Sequence, residues 1–385
     1  MHIQETHTKP TSIEMESRLN RLQTAMAEQA LDAYVLTEAS DVLWLTNFAN
    51  HVHERPFILL VPATGEPVFL VPRLELDHCE SRIVGKVKYV TYTEFPAPVN
   101  RAWEDRLEQI LPQQAKRIAI APTTPIMIAN VVGDRAKITG VIEDVRAIKS
   151  DYELGRIAYA CRILSEAHDK LLKAARIGLS QSDITASFGA QIFQQLCEDD
   201  PHLNPFATHM LTLIQNPAAS HDPHNFSDLD MAMVEGGPHI SVFNATLNGY
   251  GAEIERTFFL DYAPEPAKIP FEIMMEARRT VFEKTKPGVR MHDVDHATNE
   301  VFRANGYSTA MRHRAGHGMG VTAHEGPFLA EGEHKIIQPR MVFTIEPGIY
   351  VPGLGGFRHS DTVVTTESGL SMLTSGPETL AELTL

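Results

Sequence analysis

The 385-residue sequence has only three cysteines and no long uncharged hydrophobic run. Cys79, Cys161 and Cys197 are widely spaced and odd in number, which argues against a disulfide framework and a paired-cysteine metal site. No stretch approaches the ~18 consecutive apolar residues of a membrane-spanning helix, and the N-terminus lacks the apolar segment of a secretory signal. We therefore expect a cytoplasmic protein.

Basic charge is also scarce. The chain has 34 lysines and arginines against 49 aspartates and glutamates, a net charge of −15. This balance disfavours nucleic acid and anionic membranes as partners. Because 43% of the residues are hydrophobic and 22% are charged, the composition is that of a folded globular protein.

The length and the order of the patterns predict two domains, at 1–147 and 148–385. Helical periodicity at 13–31 and 102–111 alternates with strand-like runs, which predicts a smaller α/β N-terminal domain. The expected strands lie within 33–48, 56–72, 87–92 and 117–122.

The second half predicts an α+β domain built around an antiparallel sheet. A long helix is expected at 148–176, capped by Ser150-Asp151, and another follows residue 180. Strand-rich segments at 238–261 and 340–350 flank a helical stretch at about 270–305.

The stretch NGYGAEIERTFFL at 248–260 places two glutamates, Glu253 and Glu255, two positions apart in a strand-like run. Side chains alternate along a strand, so both carboxylates share one face while Arg256 points to the other. Two like charges on a half-buried sheet require a cation between them. A metal ion, an arginine and the substrate are all candidates.

Polar residues cluster in the second half, and one cluster contains an unusual glycine-rich loop. Any single histidine is more often structural than catalytic. Glycines on both sides of His317 in AGHGMG favour a functional role, because they let the backbone approach closely. The four clusters are SHDPHN (220–225), GYGAEIERTF (249–258), HRAGHGMGVTAHEGP (313–327) and FTIEPGIY with GGFRHSDT (343–350, 355–362).

The order of these motifs resembles the creatinase/aminopeptidase-P/prolidase superfamily, whose fold is called pita-bread. The resemblance covers essentially the whole chain. It implies an α+β pita-bread catalytic domain preceded by a smaller α/β domain.

Metallopeptidases of that superfamily hold two metal ions on five ligands. By resemblance, those positions fall in this chain on Val242, Glu253, His317, Glu346 and Ser360. Val242 has no ligand atom and Ser360 is a weak neutral replacement for a carboxylate. We therefore expect no metal and no cofactor.

The pattern is similar to the metal-independent members, creatinase and ectoine hydrolase, and more so to the second. A glutamate at the place of Glu255, a histidine matching His221 and a glutamate matching Glu346 imply a catalytic set, to which we add His317. The implied reaction opens the cyclic amidine ring of ectoine to N-acetyl-2,4-diaminobutyrate. Water attack assisted by His221, and direct attack by Glu255, both remain open.

The implied substrate is a small zwitterion such as ectoine, and the implied assembly is a homodimer. In creatinase a loop crosses to the neighbouring subunit, and NHVHER (50–55) would supply His53 and Arg55 there. A surface role for Arg55 is an equal alternative. The further predicted substrate-binding residues are Glu253, His324, Tyr250, Arg358 and His359.

Three other functions stay open at this point. The chain could be a creatinase-type enzyme for another guanidino or amidine compound, or a metal-dependent Xaa-Pro aminopeptidase or prolidase. It could also be a non-catalytic pita-bread binding protein, since a fold does not determine a function.

Overall fold

The computed structural model describes residues 3–49 and 54–385 and divides the chain into two compact units. One unit is Thr8–Arg146. The other begins at Ala147, continues to the C-terminus, and includes residues 3–7, whose Thr6 backbone N–H donates to the carbonyl of Gly155 at 3.2 Å. The N-terminal residues therefore pack with the second unit.

The first unit is a six-stranded mixed sheet with helices. Its strand order is β4-β3-β2-β1-β5-β6, with β1–β2 and β2–β3 antiparallel and the other neighbours parallel. Its elements are α1 (Ser12–Glu28), β1 (Ala33–Leu36), α2 (Ala39–Thr46), β2 (Ile58–Pro62), β3 (Val68–Pro72), α3 (Leu76–Arg82), β4 (Lys88–Tyr92), α4 (Trp103–Ile110), β5 (Ile118–Ile120), α5 (Ile126–Val132), β6 (Ala136–Ile138) and α6 (Val141–Ala147).

The strand prediction over 33–48 is only partly right. Residues 33–36 form β1, but the following ASDVLWLT forms α2, whose Val42 and Leu45 are buried at helical spacing. Both tryptophans of the chain, Trp44 and Trp103, are buried in this unit.

The second unit is built on an eight-stranded sheet. Its strand order is β11-β10-β12-β15-β9-β8-β7, with β16 paired to β15, and β13 and β14 form a separate hairpin. Its elements are α7 (Asp151–Ala174), α8 (Gln181–Ile184), α9 (Ala190–Asp199), β7 (His209–Gln215), β8 (Gly236–Leu247), β9 (Tyr250–Leu260), α10 (Glu265–Lys284), α11 (Met291–Ala304), β10 (Gly316–Gly318), β11 (Glu325–Leu329), β12 (Val342–Ile345), β13 (Gly348–Val351), β14 (Gly355–Arg358), β15 (Ser360–Thr365) and β16 (Leu370–Met372).

Helix α7 begins where the sequence predicts it. The Ser150 hydroxyl accepts from the Glu153 N–H and the Glu153 carboxylate accepts from the Ser150 N–H, which satisfies two amides at the helix start. No helix in the described ranges is both long and apolar enough to cross a membrane.

A tight hairpin joins β8 to β9 and sets the register of the central sheet. Asn248 and Gly249 both have positive φ, of 47° and 90°, as a two-residue hairpin turn requires. The resulting register places Val242 opposite Glu255 and Asn244 opposite Glu253.

Candidate active site

Strand β9 is buried along its whole length and carries charge on both faces. Glu253 and Glu255 share the front face, as strand alternation predicts. Arg256 lies behind the sheet, where its guanidinium donates to Asp361 Oδ1 at 3.1 Å and to the Ser360 carbonyl at 3.0 Å. The predicted structural role of Arg256 is confirmed.

The front face of the sheet opens into a cavity of about 550 Å³. A cavity of this size lies within the range of small-molecule sites. Its lining is Leu211, Leu213, His224, Phe226, Val242, Asn244, Glu253, Glu255, His313, Arg314, His317, Ala323, His324, Glu346 and Arg358.

Glu253 is held by two neutral donors. The Ser360 hydroxyl donates to its Oε1 at 2.6 Å, and the Asn244 amide donates to its Oε2. Burial alone acts to raise the pKa of Glu253, but the positive charge of His317 in its protonated form and these two hydrogen bonds lower it below the ordinary value. Glu253 is therefore the carboxylate in the cavity that stays ionised most readily.

Glu255 forms a bidentate ion pair with Arg358. The guanidinium Nε donates to Glu255 Oε2 and its Nη2 donates to Oε1 at 2.9 Å, with both side chains 4% exposed. Burial raises the pKa of Glu255, and the Arg358 charge opposes that rise. The cation that the glutamate pair required is an arginine of the chain itself.

Two further side chains hold Arg358 in position. Its Nη1 donates to the Tyr350 hydroxyl at 2.9 Å, and that hydroxyl lies 2.7 Å from His313 Nε2. His313 Nδ1 lies 2.8 Å from the Arg314 carbonyl, which can only accept, so the proton is on Nδ1 and the Tyr350 hydroxyl donates to Nε2. The guanidinium is therefore fixed from both sides.

His317 presents a free lone pair to the cavity. Its Nδ1 donates to the Gly318 carbonyl at 3.0 Å, which leaves Nε2 unprotonated in the neutral ring. Nε2 lies 3.4 Å from Glu346 Oε1 and 4.0 Å from Glu253 Oε2. His324 Nε2 is also 4.0 Å from Glu253 Oε2, and the two imidazole centroids are 4.0 Å apart.

The surroundings push the proton affinities of these groups apart. Burial lowers the pKa of His317, so the ring is neutral. Burial, reinforced by the charge of Glu253, raises the pKa of Glu346 to about 8. The cavity therefore contains a neutral imidazole base beside a protonated carboxyl group, which is the arrangement of an acid–base pair.

Six of the predicted site residues are brought together in the cavity: Glu253, Glu255, His317, His324, Glu346 and Arg358. Glu255 and Arg358, which the sequence assigns separately to catalysis and substrate binding, bind each other.

The prediction for His221 is corrected. His221 is half-buried in the loop that follows β7, and the lining residues in the described part of the chain include His224 instead. The loop turns tightly, because the Gln215 amide donates to the carbonyls of both Asp222 and Asn225. A turn of this kind determines which of two histidines three residues apart faces inward.

The predictions for Tyr250 and His359 are wrong. Tyr250 shares the rear face of β9 with Arg256 and packs edge-on against Tyr152, with centroids 6.1 Å apart. His359 lies between Arg358 and Ser360, so alternation turns it away from the cavity, and its buried ring packs against Phe271. Both contradictions follow from the period-two alternation of a strand.

The predicted dimer loop stays a prediction. His53 lies outside the described residues. Arg55 is part of the first unit, where its Nη1 donates to Glu94 Oε2 at 2.9 Å.

Sequence reasoning missed Arg314 as a lining residue. Its guanidinium stacks over the Phe328 ring at 4.3 Å, and its Nε is buried with no hydrogen-bond partner among the described residues. The signal was present, since Arg314 lies three residues before His317 in the glycine-rich cluster, but it reads equally well as a solvated loop residue.

The similarity of the chain to known proteins supports the fold. Residues 155–367 match the model of the metallopeptidase family M24, and residues 18–148 match that of the creatinase/prolidase N-terminal domain. The chain belongs to the metallopeptidase family M24. The predicted pita-bread fold with its N-terminal domain is thereby confirmed, and the family is one of hydrolases.

Relatives in the M24 family span the whole chain. The putative dipeptidase YkvY of Bacillus subtilis is 27% identical over 371 residues, which covers 94% of this chain and 99% of the relative. The dipeptidase structure from Pyrococcus horikoshii OT3 has a TM-score of 0.80 at 26% identity, covering 95% and 99% of the two chains. The Xaa-Pro dipeptidase from Bacillus anthracis has a TM-score of 0.82 at 22% identity, with the same coverage.

The residues of this M24 chain do not fit a pair of metal ions. Four of the five aligned positions line the cavity and Ser360 pairs with Glu255 beside them, but Val242 offers no donor atom and the Ser360 hydroxyl is used by Glu253. Within residues 3–49 and 54–385, the groups of ligand-type side chains that lie close enough to hold an ion are Glu253 with His317 and His324, and Glu253 with Glu255 and Glu346. Arg358 forms an ion pair with Glu255, so the second group is left with Glu253 and Glu346 alone, and Glu253 would have to serve the first group as well.

Proposed function

We propose that this M24 chain is a hydrolase that cleaves a carbon–nitrogen bond of a small planar cation without a metal pair. One observation carries the proposal. Where a metal pair would require carboxylates, the chain has Val242 and Ser360, and the Arg358 guanidinium is paired with Glu255 in the same cavity. Because the cation beside Glu255 is an arginine and not a metal ion, water must be activated by side chains, and His317 and Glu346 in the cavity can do so.

His317 is the proposed base and Glu346 the proposed acid. A water molecule bound near His317 Nε2 would lose its proton to that nitrogen as its oxygen bonds to the amidine carbon. The carbon–nitrogen bond then breaks while Glu346 donates its proton to the departing nitrogen. Since the two groups are 3.4 Å apart, His317 can return its proton to Glu346 and restore the starting state.

Glu253 has two tasks in this scheme. As the ionised carboxylate, it accepts N–H bonds from the cationic substrate, and charge-assisted hydrogen bonds of this kind are the stronger ones. It also stabilises the imidazolium that forms on His317, from a distance of 4.0 Å.

Arg314 is the proposed anchor for a substrate carboxylate. Arg314 lines the cavity, its buried Nε has no hydrogen-bond partner among the described residues, and a planar guanidinium suits bidentate carboxylate binding. The pocket therefore suits a zwitterion, and ectoine, the cyclic amidine to which the sequence resemblance points, belongs to this class.

The test is a turnover panel with ectoine, creatine and proline dipeptides, each measured after chelation and after addition of Mn²⁺, Co²⁺ or Zn²⁺. We expect hydrolysis of an amidine or guanidino compound that survives chelation and is lost in His317→Ala and Glu346→Gln. Activity on dipeptides alone, dependent on added metal, would refute the proposal.

A dipeptidase is the second candidate, because the relatives named above are called dipeptidases and Glu253, His317 and His324 could hold one ion. It predicts one bound metal per chain by elemental analysis and loss of that metal in His324→Ala. If none of ectoine, creatine and the proline dipeptides is hydrolysed, with or without added metal, a non-catalytic binding role is favoured.

A further inference from the structure

The front face of the sheet is divided into a charged half and an apolar half. In one row across four paired strands, the residues are Leu213, Val242, Glu255 and Ser360. Leu213 pairs with Val242, and Val242 pairs with Glu255. Since neighbouring strands are about 4.8 Å apart, the row changes from hydrocarbon to carboxylate within one strand spacing.

The apolar half forms a continuous wall of the cavity. Val242 is buried against Ile240 and Tyr350, and Leu213 and Phe226 pack on the same cluster. Leu211 extends the wall along β7 and is 54% exposed. The exposure of a large side chain that lines a cavity indicates apolar surface that a ligand can cover.

Val242 lies at the boundary between the apolar wall and the charged half of the sheet face. Val242 on β8 is paired directly with Glu255 on β9, and Ser360 lies on the next strand, β15. A polar residue here would extend the charged half across the cavity. Valine instead ends the charged surface in this row, so the part of a substrate that projects from Glu255 toward Leu213 meets hydrocarbon, while the amide of Asn244, in the neighbouring row, is bonded to Glu253.

We propose that, besides the carboxylate assigned to Arg314, two parts of the substrate are bound here: a planar cationic carbon–nitrogen group at Glu253 and Glu346, and a hydrocarbon group of about four to eight carbons on the wall formed by Leu211, Leu213, Phe226 and Val242. The first part rests on the proposed function, and the second goes beyond it. The length follows from the one to two strand spacings, about 5–10 Å, between the wall and the carboxylates. Val242 is the residue that determines this specificity.

The test uses two ligand series of matched chain length. Acetamidinium, butanamidinium and hexanamidinium carry the cation, and acetamide, butanamide and hexanamide lack it. Calorimetry on the full chain should show the Kd falling by roughly fourfold for each methylene that the wall covers, in both series. A Kd independent of chain length in both series, or binding of neither series, would overturn the proposal.

Val242→Thr tests the assignment to this residue, because threonine has nearly the shape of valine but adds a hydroxyl group. We expect hexanamidinium to bind roughly fivefold more weakly, because its chain must lie against that polar group, while acetamidinium changes by less than about twofold. Val234→Thr is the matched control, since Val234 is 42% exposed and is not among the lining residues. Equal losses for both ligands, or an equal effect in the control, would contradict the role of Val242.

Failure of this inference is distinguishable from failure of the proposed function. Chain-length-dependent binding without turnover of any amidine would keep the wall and remove the hydrolase. Turnover of amidines with no dependence on chain length would keep the hydrolase and remove the wall.

Discussion

The buried pair of Glu255 and Arg358 gives a prediction that can be worked out from the structure. Each side chain is 4% exposed, so each charge depends on the other for compensation. Removing one partner of such a pair costs about 3–5 kcal/mol, whereas replacing both by hydrocarbon is close to neutral. We therefore expect Glu255→Leu and Arg358→Met to be destabilising singly, and the double variant to lie within about 1–2 kcal/mol of the parent.

The two single variants should differ in their dependence on pH. In Arg358→Met, Glu255 can escape the penalty by binding a proton, which at pH 7 costs about 1.36 × (7 − 4.3), or ~3.7 kcal/mol, for a buried carboxyl group that titrates well above pH 7. At pH 5 the same cost is only about 1 kcal/mol. In Glu255→Leu the guanidinium cannot lose its charge, so we expect a loss of about 3 kcal/mol or more at both pH values.

Urea unfolding followed by far-UV circular dichroism measures these losses. Both tryptophans lie in the other unit, so their fluorescence reports a transition that the substitutions should leave unchanged. This signal is an internal control, which a chain of two units requires. If the two single losses simply add in the double variant, or if Arg358→Met does not recover at pH 5, the reasoning about the pair is refuted.

Three other predictions concern the site and its support. Glu346→Gln should reduce kcat by about 10²–10⁴, because the proposed mechanism needs a protonated Glu346 to donate to the departing nitrogen. The variant should also lose the fall in activity that the parent shows as pH rises through about 8, and an unchanged alkaline limb in the pH–rate profile would contradict the assignment. Lys149→Met should reduce kcat and destabilise the second unit, while the first unit keeps its stability, because Lys149 Nζ donates to Glu325 Oε1 at 2.9 Å beside His324 and both side chains are buried. Steady-state kinetics under conditions where the variant is folded, with Lys335→Met as a control on the same unit, tests this, and equal effects of the two substitutions on kcat would contradict it. Burial lowers the pKa of His168 to about 3, so at pH values below 6.5 the unfolded chain binds a proton on this ring and the folded chain does not. The free energy of unfolding should therefore fall by up to about 1.4 kcal/mol per pH unit as pH drops from 6.5 toward 3. Denaturation of His168→Gln at several pH values should show a shallower dependence of that free energy on pH.

Local rules predicted part of this site correctly. Strand alternation alone placed Glu253 and Glu255 on one face and Arg256 on the other, and the order of motifs led to the fold. Applied to Tyr250 and His359, the same alternation would have excluded both from the cavity. The errors there came from assigning roles by nearness in sequence.

The partner of Glu255 could not be found by local rules. Arg358 is 103 residues away, and the two meet because β15 pairs with β9 in a register that sets Ser360 opposite Glu255. Long-range strand pairing is determined by the packing of the whole sheet rather than by any short segment. The choice of His224 over His221 likewise depends on the conformation of one turn.

The opposite charges on the two faces of β9 also have a consequence for folding. A slip of one residue in the pairing of this strand would turn Glu253 and Glu255 toward the buried Asp361 and leave Arg256 in the cavity beside Arg358. Each misplaced group would then meet a like charge in a region that excludes water. The side chains that form the candidate site therefore also penalise the wrong alignment, so that the central hairpin is specified by electrostatics as well as by its turn.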